Sequence, residues 1–393
     1  MGYIRVPLFY KIKTGVLALG AQSKGAFCIA RGNTAYLSDS FGDLGDVGNF
    51  RKFEKKIKAL KRELKIKPDI IACDMHPEYI STKYAFEKVK SQNDQSFGLV
   101  PEVKMIQHHE AHVASCMADN GIKGKVIGVA FDGTGFGRDG NVWGGEFFTG
   151  GVKGFKRAAH LKYIPMPGSE ACIREPRRMA FSYLYKIYGK NGLPRPDFVG
   201  TRNVILGQMI DKKINSPLTS SVGRLFDGVS SLIGVCDFAG YEGEAAIRLE
   251  KIISGQGSKV KGEYKFKYLK DGELTIIDWA PVIKGIVTDL KLGVKKPEIS
   301  LKFHNAVCGM IKDVCIILRK KYRINKVCMS GGVFQNRYIN SHIRPILEKE
   351  GFEVYAHERV PTHDGGIALG QAILATTSTA QEAFGHLRGF KRS

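Results

Sequence analysis

The sequence predicts an α/β protein built from two lobes of related design. Three observations carry that expectation. Apolar strands followed directly by glycine-rich turns recur along the 393 residues. The opening pattern returns near residue 125, where KVIGVAFDGTGFGRDGNVWGGEFFTGG again reads as a strand, a glycine-rich turn and further strands. A strand–loop–helix–strand unit closes the chain, from Val327 through Ser330-Gly331-Gly332 to a strand at 352–356. Two like openings point to an internal duplication, and the closing unit is a β-α-β crossover. A chain of this length buries a large core and divides readily into lobes. The expected division is a first lobe at 1–124, a second at 125–378 with a helical insertion, and a basic tail at 379–393.

Taken in order, residues 15–39 read as three short strands separated by turns at Gln22-Ser23-Lys24-Gly25 and Gly32-Asn33. A basic amphipathic helix follows at about 50–64, then a strand at 69–73. Apolar Met105, Ile106, Val113 and Met117, with small Ala111, Ala114 and Ala118, mark a helix around His108 and His112. Residues 169–254 read as mainly helical. The stretch 265–277 reads as a hairpin turning at Asp271-Gly272. Helices are expected at 279–290, 301–322 and 336–350, and a last one begins near Asp364-Gly365-Gly366.

Composition narrows the class. The chain is 43% apolar and 25% charged, as soluble globular proteins are. No apolar run approaches the roughly 18 residues of a membrane span. The start, Lys11 and Lys13 before GVLALGA, only mimics a signal peptide, because its apolar part is short and runs into strand-like sequence. Eight cysteines without a CxxC argue for reduced thiols in a cytoplasm and against a zinc ribbon. The net charge of +22 implies attraction to an anionic partner, whether nucleotide, RNA or acidic protein. Each lysine run alone, such as Lys55-Lys56-Ile57-Lys58, reads first as a solvated helix face.

Several motifs carry chemistry. His108 and His112 lie one helical turn apart on one face, so both imidazoles can reach a single ion. Two neutral imidazoles suit Zn or Fe; without a third, acidic ligand they are a pair of half-buried histidines. Asp132-Gly133-Thr134-Gly135-Phe136-Gly137 follows a strand, so its N–H groups can approach a phosphate, or it is a tight hairpin turn. Ser330-Gly331-Gly332-Val333 sits at the carboxyl end of a strand, where open sheets bind ligands, or it is a close strand–helix turn. Asp364 is either a helix N-cap or the missing carboxylate, with His363 an ambiguous neighbour. Asp227 and Glu244 can hold ribose hydroxyls or pair with a nearby arginine.

Together the segments GVLALGAQSKGAF, DMHPEYISTKYA, QHHEAHVASCMADN, GVAFDGTGFGRDGNVWGGEFF, PMPGSEACIREPRRMA, TSSVGRLFDGVSSLIGV, YEGEAAIRLE, SGGVFQN and VPTHDGGIALGQA resemble the carboxy-terminal, carbamoyl-transferring half of the HypF family. They occur in the family's order over about residues 15–372. The chain is more distantly similar to the tRNA threonylcarbamoyl-transferase subunit TsaD and to antibiotic O-carbamoyltransferases. The resemblance implies the ASKHA fold, two duplicated ribonuclease-H-like lobes around a nucleotide and metal cleft. It implies that His108, His112 and Asp364 hold one divalent transition metal, Fe or Zn. The Asp132, Gly133, Thr134, Gly135 and Gly137 stretch would face the phosphate, with Asp132 also in the catalytic set alongside the three ligands. Asp227, Gly243 and Glu244 would lie near the ribose, and Gly331, Gly332 and Asn336 near the adenosine of ATP or carbamoyl-adenylate.

The implied reaction passes a carbamoyl group from carbamoyl-adenylate to the carboxy-terminal cysteine of HypE, in making the cyanide ligand of NiFe-hydrogenase. The chain is expected to begin just after a YrdC-like domain would end. Adenylate formation would then need a YrdC-like and acylphosphatase part, either a separate subunit or domains from which this chain is an excised piece. The attacking thiol belongs to the acceptor, and Cys116, Cys172 and Cys236 read as buried apolar side chains. Gln22 stands where the family usually has Glu, Ser169-Glu170 replaces a usual Gly-Asp, and Arg177 a usual Trp. Competing expectations are O-carbamoylation of a small natural product and an RNA-associated TsaD-like subunit. The second rests on charge alone, the weaker warrant, and no membrane partner is expected.

Overall fold

Parallel strands flanked by helices on both faces must be apolar on both faces, and the buried run Ile70–Asp74 shows why the fold has two such cores. The computed structural model describes residues 2–93, 100–190, 201–253 and 262–377. The expected basic tail at 379–393 lies outside them. The first part comprises β1 (Tyr3–Ala18), β2 (Cys28–Ser38), α1 (Val47–Glu63), β3 (Ile70–Asp74), α2 (Ile80–Asn93), β4 (Glu102–Ile106) and α3 (His108–Asp119). Next come β5 (Val126–Phe136), β6 (Val142–Gly151), β7 (Gly154–Leu161) and the short β8 (Ile164–Pro165). The insertion holds α4 (Ala171–Arg174), α5 (Arg177–Tyr188), α6 (Thr201–Asp211), β9 (Leu218–Thr219), α7 (Val222–Leu232) and α8 (Glu244–Lys251). The chain continues with β10 (Lys267–Asp271), β11 (Leu274–Asp278), α9 (Ala280–Lys291), α10 (Lys296–Tyr322) and β12 (Lys326–Ser330). It closes with α11 (Arg337–Lys349), β13 (Glu353–Tyr355) and α12 (Ile367–Thr377).

The duplication is real at the level of topology. The first sheet runs β2-β1-β3-β4, and the second contains β6-β5-β12-β13 in the corresponding order. In each, the first pair is antiparallel and the next two pairs are parallel. This is the two-lobe α/β fold that the sequence predicts. One local expectation fails: residues 15–39 do not make three strands. Gly32-Asn33 lies within the continuous β2, where Gly32 adopts φ +63° yet pairs with Ile12, and the extra residues of the two register shifts fall on β1 on either side of Ile12. Cross-strand pairing to the long β1 holds the segment extended where local turn chemistry would bend it.

Helices fill the space around and between the sheets. Phe53, Ile57 and Leu60 of α1 pack on one face of the first sheet, and Leu369 and Ile373 of α12 cover the other. Val113 and Met117 of α3 cover one face of the second sheet, while α5, α7, α9 and α10 pack on its far face. Thus α3, which follows the first sheet, lies on the second, and α12 does the reverse. The two helices meet back to back: a Cβ on Gly370 would sit 1.8 Å from the carbonyl oxygen of Ala111. No described helix is long and apolar enough to cross a membrane.

Candidate functional site

The amino ends of α3 and α12 meet at one spot, beside the carboxyl ends of β3 and β12 and the bulge within β5. Gln107 caps α3 by accepting from the Glu110 N–H at 2.9 Å, which fixes the first turn and the imidazoles on it. Four side chains converge there: His108, His112, Asp132 and Asp364, whose ligating atoms all lie within 4.8 Å of one another. His108 Nε2 is 3.4 Å from Asp132 Oδ2 and 3.6 Å from Asp364 Oδ1. The matching distances from His112 Nε2 are 3.1 and 3.5 Å.

Each of the four is held from behind. His108 Nδ1 pairs with Asp74 Oδ2 at 2.8 Å, which orients the ring so that Nε2 faces the cluster. His112 Nδ1 lies 3.3 Å from Ser330 Oγ, which also contacts His357 Nε2 at 2.9 Å. Asp132 Oδ1 accepts from the N–H groups of Gly133 and Gly332, at 2.8 and 3.1 Å, so Oδ2 faces inward. Asp364 Oδ2 accepts from Ser23 Oγ at 3.1 Å. The N-cap at this turn is His363, whose Nδ1 accepts from the Gly365 N–H, so Asp364 is free of that task.

Electrostatics bind the group further. Burial opposes a charge on His108, but Asp74, Asp132 and Asp364 outweigh it and raise its pKa well above the ordinary value. His112 is raised against burial in the same way by Asp132 and Asp364. Burial would push both carboxyls up, yet the histidines hold Asp132 and Asp364 below the usual range. A divalent cation would satisfy the same carboxylates and both imidazoles at once. The N–O separations of 3.1–3.6 Å match the roughly 3.4 Å between neighbouring ligands of a tetrahedral ion with bonds of about 2.1 Å. The set can therefore hold one such ion, with Asp132 as a fourth ligand beyond the three that the resemblance implies.

Beside this cluster opens a cavity of about 520 Å³, lined in part by Asp132, Gly133, Asp227, Gly243, Gly332 and Asn336. Other expected residues do different work. The stretch from Asp132 to Gly137 is not an open phosphate loop, since β5 continues through a bulge to Phe136. A Cβ on Gly135 would meet the His109 and His108 rings at 2.4 and 2.8 Å, and one on Gly137 would meet Trp143 at 2.2 Å. Both glycines admit rings where the resemblance places phosphate contacts. Thr134 is absent from the cavity lining. Glu244 also stands outside it, accepting from the Gly240 N–H and pairing with Arg248. Gly331, at φ +107°, lets β12 approach β5: a Cβ there would lie 2.1 Å from the Phe131 carbonyl oxygen.

Asp227 is buried against Arg224 at 3.0 Å, and burial pushes its carboxyl up to about 6 despite that arginine. Asn336 caps α11 through the Ile339 N–H and donates from Nδ2 to His304 Nε2 at 3.0 Å. Sequence reasoning gave no role to Asp74, His357, Lys24 or Glu242, and it read Ser330 as part of a ligand-binding turn where the hydroxyl in fact contacts His112 and His357. A carboxylate closing a buried strand, as Asp74 does, was the available signal. The departures are also placed. Gln22 Oε1 accepts from the Ile80 N–H, tethering its turn to α2. Ser169 takes φ +51°, a conformation that glycine adopts more cheaply, and Arg177 lies over the Phe238 ring at 5.8 Å.

Comparison with known proteins agrees with this architecture. Residues 11–119 match the family described as HypF Kae1-like domain. Residues 128–371 match Carbamoyltransferase, Kae1-like Domain, second subdomain. Carbamoyltransferase HypF of Synechocystis sp. is 34% identical over 382 residues, 91% of this chain and 46% of the relative. A carbamoyltransferase HypF homolog of Cupriavidus necator is 30% identical and matches 92% of this chain and 91% of its own length. The crystal structure of full-length HypF in the phosphate- and nucleotide-bound form superposes with a TM-score of 0.86 at 38% identity, covering 95% of this chain and 56% of that one. T. kodakarensis HypF gives 0.83 at 31%, covering 95% and 48%. Apart from the Cupriavidus homolog, the chain spans about half the length of these relatives.

Proposed function

The chain belongs to the carbamoyltransferase HypF family, and we propose that it carries out the transfer step of that family's chemistry. A carbamoyl group passes from carbamoyl-adenylate to the carboxy-terminal cysteine thiol of a HypE-like acceptor, in NiFe-hydrogenase maturation. The observation that supports this most is the juxtaposition of the His108, His112, Asp132 and Asp364 cluster with the cavity of about 520 Å³. A bound Fe or Zn ion would supply Lewis acidity there. The chain's own residues do the positioning. Asp74 and Ser330 fix the two imidazoles, and the Gly133 and Gly332 N–H groups fix Asp132. The adenosine lies toward Asn336, and the ribose toward Asp227 and Gly243.

The thiol comes from outside. All eight cysteines are buried, and burial pushes the thiols of Cys28, Cys73, Cys172 and Cys308 up to about 12. A thiol held protonated in an apolar setting is a poor nucleophile. Adenylate formation falls to a YrdC-like and acylphosphatase part, in this chain's own longer form or in a partner. The test mixes the protein with a separately expressed YrdC-like and acylphosphatase part, ATP, carbamoyl phosphate and HypE, and follows HypE by intact-mass spectrometry. The expected result is one carbamoyl increment on the terminal cysteine. No increment, with an active full-length HypF succeeding in parallel, overturns the reading.

A further inference from the structure

We propose that Arg224 is the residue that grips the phosphate of the adenylate in this cleft, an inference that rests on the nucleotide reading above. The guanidinium is 3% exposed and lines the cavity beside Asp132 and Gly133. Among the described residues only its Nη2 reaches a carboxylate, Asp227 Oδ2 at 3.0 Å. Its Nε and Nη1 are buried without a hydrogen-bond partner among the described residues. Buried donors are satisfied almost without exception in folded proteins, because an unmade hydrogen bond leaves the full cost of desolvation. A guanidinium buried at a cavity wall with two such nitrogens is set for a ligand that accepts.

The local structure places it there by design of the backbone. Ser221 caps α7, accepting from the Arg224 N–H at 3.1 Å, and its hydroxyl donates to the Asp132 carbonyl at 2.7 Å. A Cβ on Gly223 would lie 2.9 Å from Gly133 Cα, so the first turn of α7 rests directly on the Asp132-Gly133 bulge. That contact brings the positive end of the helix and the arginine to the edge of the metal-ligand cluster. Asp227 faces the guanidinium as an ion-pair partner at Nη2 alone. Glu242 approaches Gly133 from another side, and Lys24, on the same cavity wall, offsets its charge.

The ligand chemistry follows from the donor count. Arginine has five donors in a planar fork and no acceptor, which matches two oxygens of a phosphate. Ribose hydroxyls would be served better by the carboxylates of Asp227 and Glu242. The site therefore discriminates a nucleotide from its nucleoside, and it stabilises the phosphate that departs when the carbamoyl group leaves. In that step the C–O bond between the carbamoyl carbon and the phosphate oxygen breaks. The S–C bond to the acceptor forms, the thiol proton is released, and AMP keeps the electron pair.

The test is calorimetric titration of the full chain with AMP and with adenosine, for wild type, Arg224→Gln and Arg224→Lys. Wild type is expected to bind AMP at least about tenfold tighter than adenosine, the scale of one charge-assisted pair. Arg224→Gln should lose that preference while keeping adenosine affinity within about twofold, and Arg224→Lys should keep part of it. Retention of the AMP preference in Arg224→Gln overturns the assignment. Equal loss of AMP and adenosine binding in that variant also overturns it, as the mark of a structural ion pair. Wild type binding neither compound overturns the nucleotide reading itself, and this inference with it.

Discussion

The two lobes share a strand order, but the residue that closes their corresponding third strands differs. Asp74 ends β3 and Ser330 ends β12, and each supports the Nδ1 of one histidine on α3. The first contact is a charge-assisted bond of 2.8 Å; the second is a hydroxyl contact of 3.3 Å. A carboxylate both fixes the tautomer and makes the imidazole a better donor, while a serine shared with His357 chiefly fixes the ring. The duplicated frame thus supplies equivalent positions, and divergence at them holds the His108 ring more firmly than the His112 ring.

The first way to break this picture is to separate the two frames. Gly370 is where α12 crosses α3, with no room for a Cβ against the Ala111 carbonyl. Gly370→Ala should destabilise the protein by roughly 3 kcal/mol, at the upper end of overpacking, and should move Asp364 away from the histidines. Urea unfolding checks the first effect. A variant of wild-type stability would show that the crossing is looser than described.

The comparison of strand ends is sharpened by a pair of substitutions. Asp74→Ala should weaken metal binding by about 10–100-fold, as loss of an outer partner does. Ser330→Ala should weaken it by less than about tenfold, because the lost contact is neutral and longer. Competition with a metallochromic chelator measures both. Equal effects would remove the asymmetry between the two histidines.

A smaller effect concerns the nucleotide side. Burial holds His304 down to about 4, and its Nε2 accepts from Asn336. The folded state therefore keeps His304 neutral where the unfolded chain, at an ordinary value of about 6.5, takes up a proton. The resulting stability is present above about pH 6.5 and is lost as pH falls toward 4. Between pH 7 and 5 wild type should lose about 2 kcal/mol more than His304→Phe, by unfolding in urea at each pH. Identical pH dependence in the two proteins would contradict the assignment.

The sequence made some of this legible and hid the rest for physical reasons. The spacing of His108 and His112 is a local property of one helix, so it could be read directly. Asp364 joins them across more than 250 residues; its own motif offered it as a ligand only beside the N-cap alternative, and the ordered resemblance chose between them. Asp132 heads a glycine-rich run and was assigned to a phosphate loop. In the folded chain its two oxygens divide between backbone N–H groups and the histidines. Gly135 and Gly137 could not be told from loop glycines, because what they admit is rings from α3 and β6. Asp74 and Arg224 sit inside regular elements, where the sequence pattern reports burial and not the direction of a carboxylate or guanidinium. The lobes were foreseeable because strand–turn–strand repetition is local. The exchange of α3 and α12 between sheets was not, being a matter of packing alone.

On the proposed reading, the ends of both frames meet around one metal ion. The direct measurement is metal content per chain, by plasma mass spectrometry, after anaerobic purification with Fe and Zn supplied, for wild type and His112→Ala. About one ion per wild-type chain and loss of most of it in the variant is expected, since removing one of four protein ligands leaves a poor cage. A wild type without stoichiometric metal, or a His112→Ala variant with unchanged content, would contradict the account.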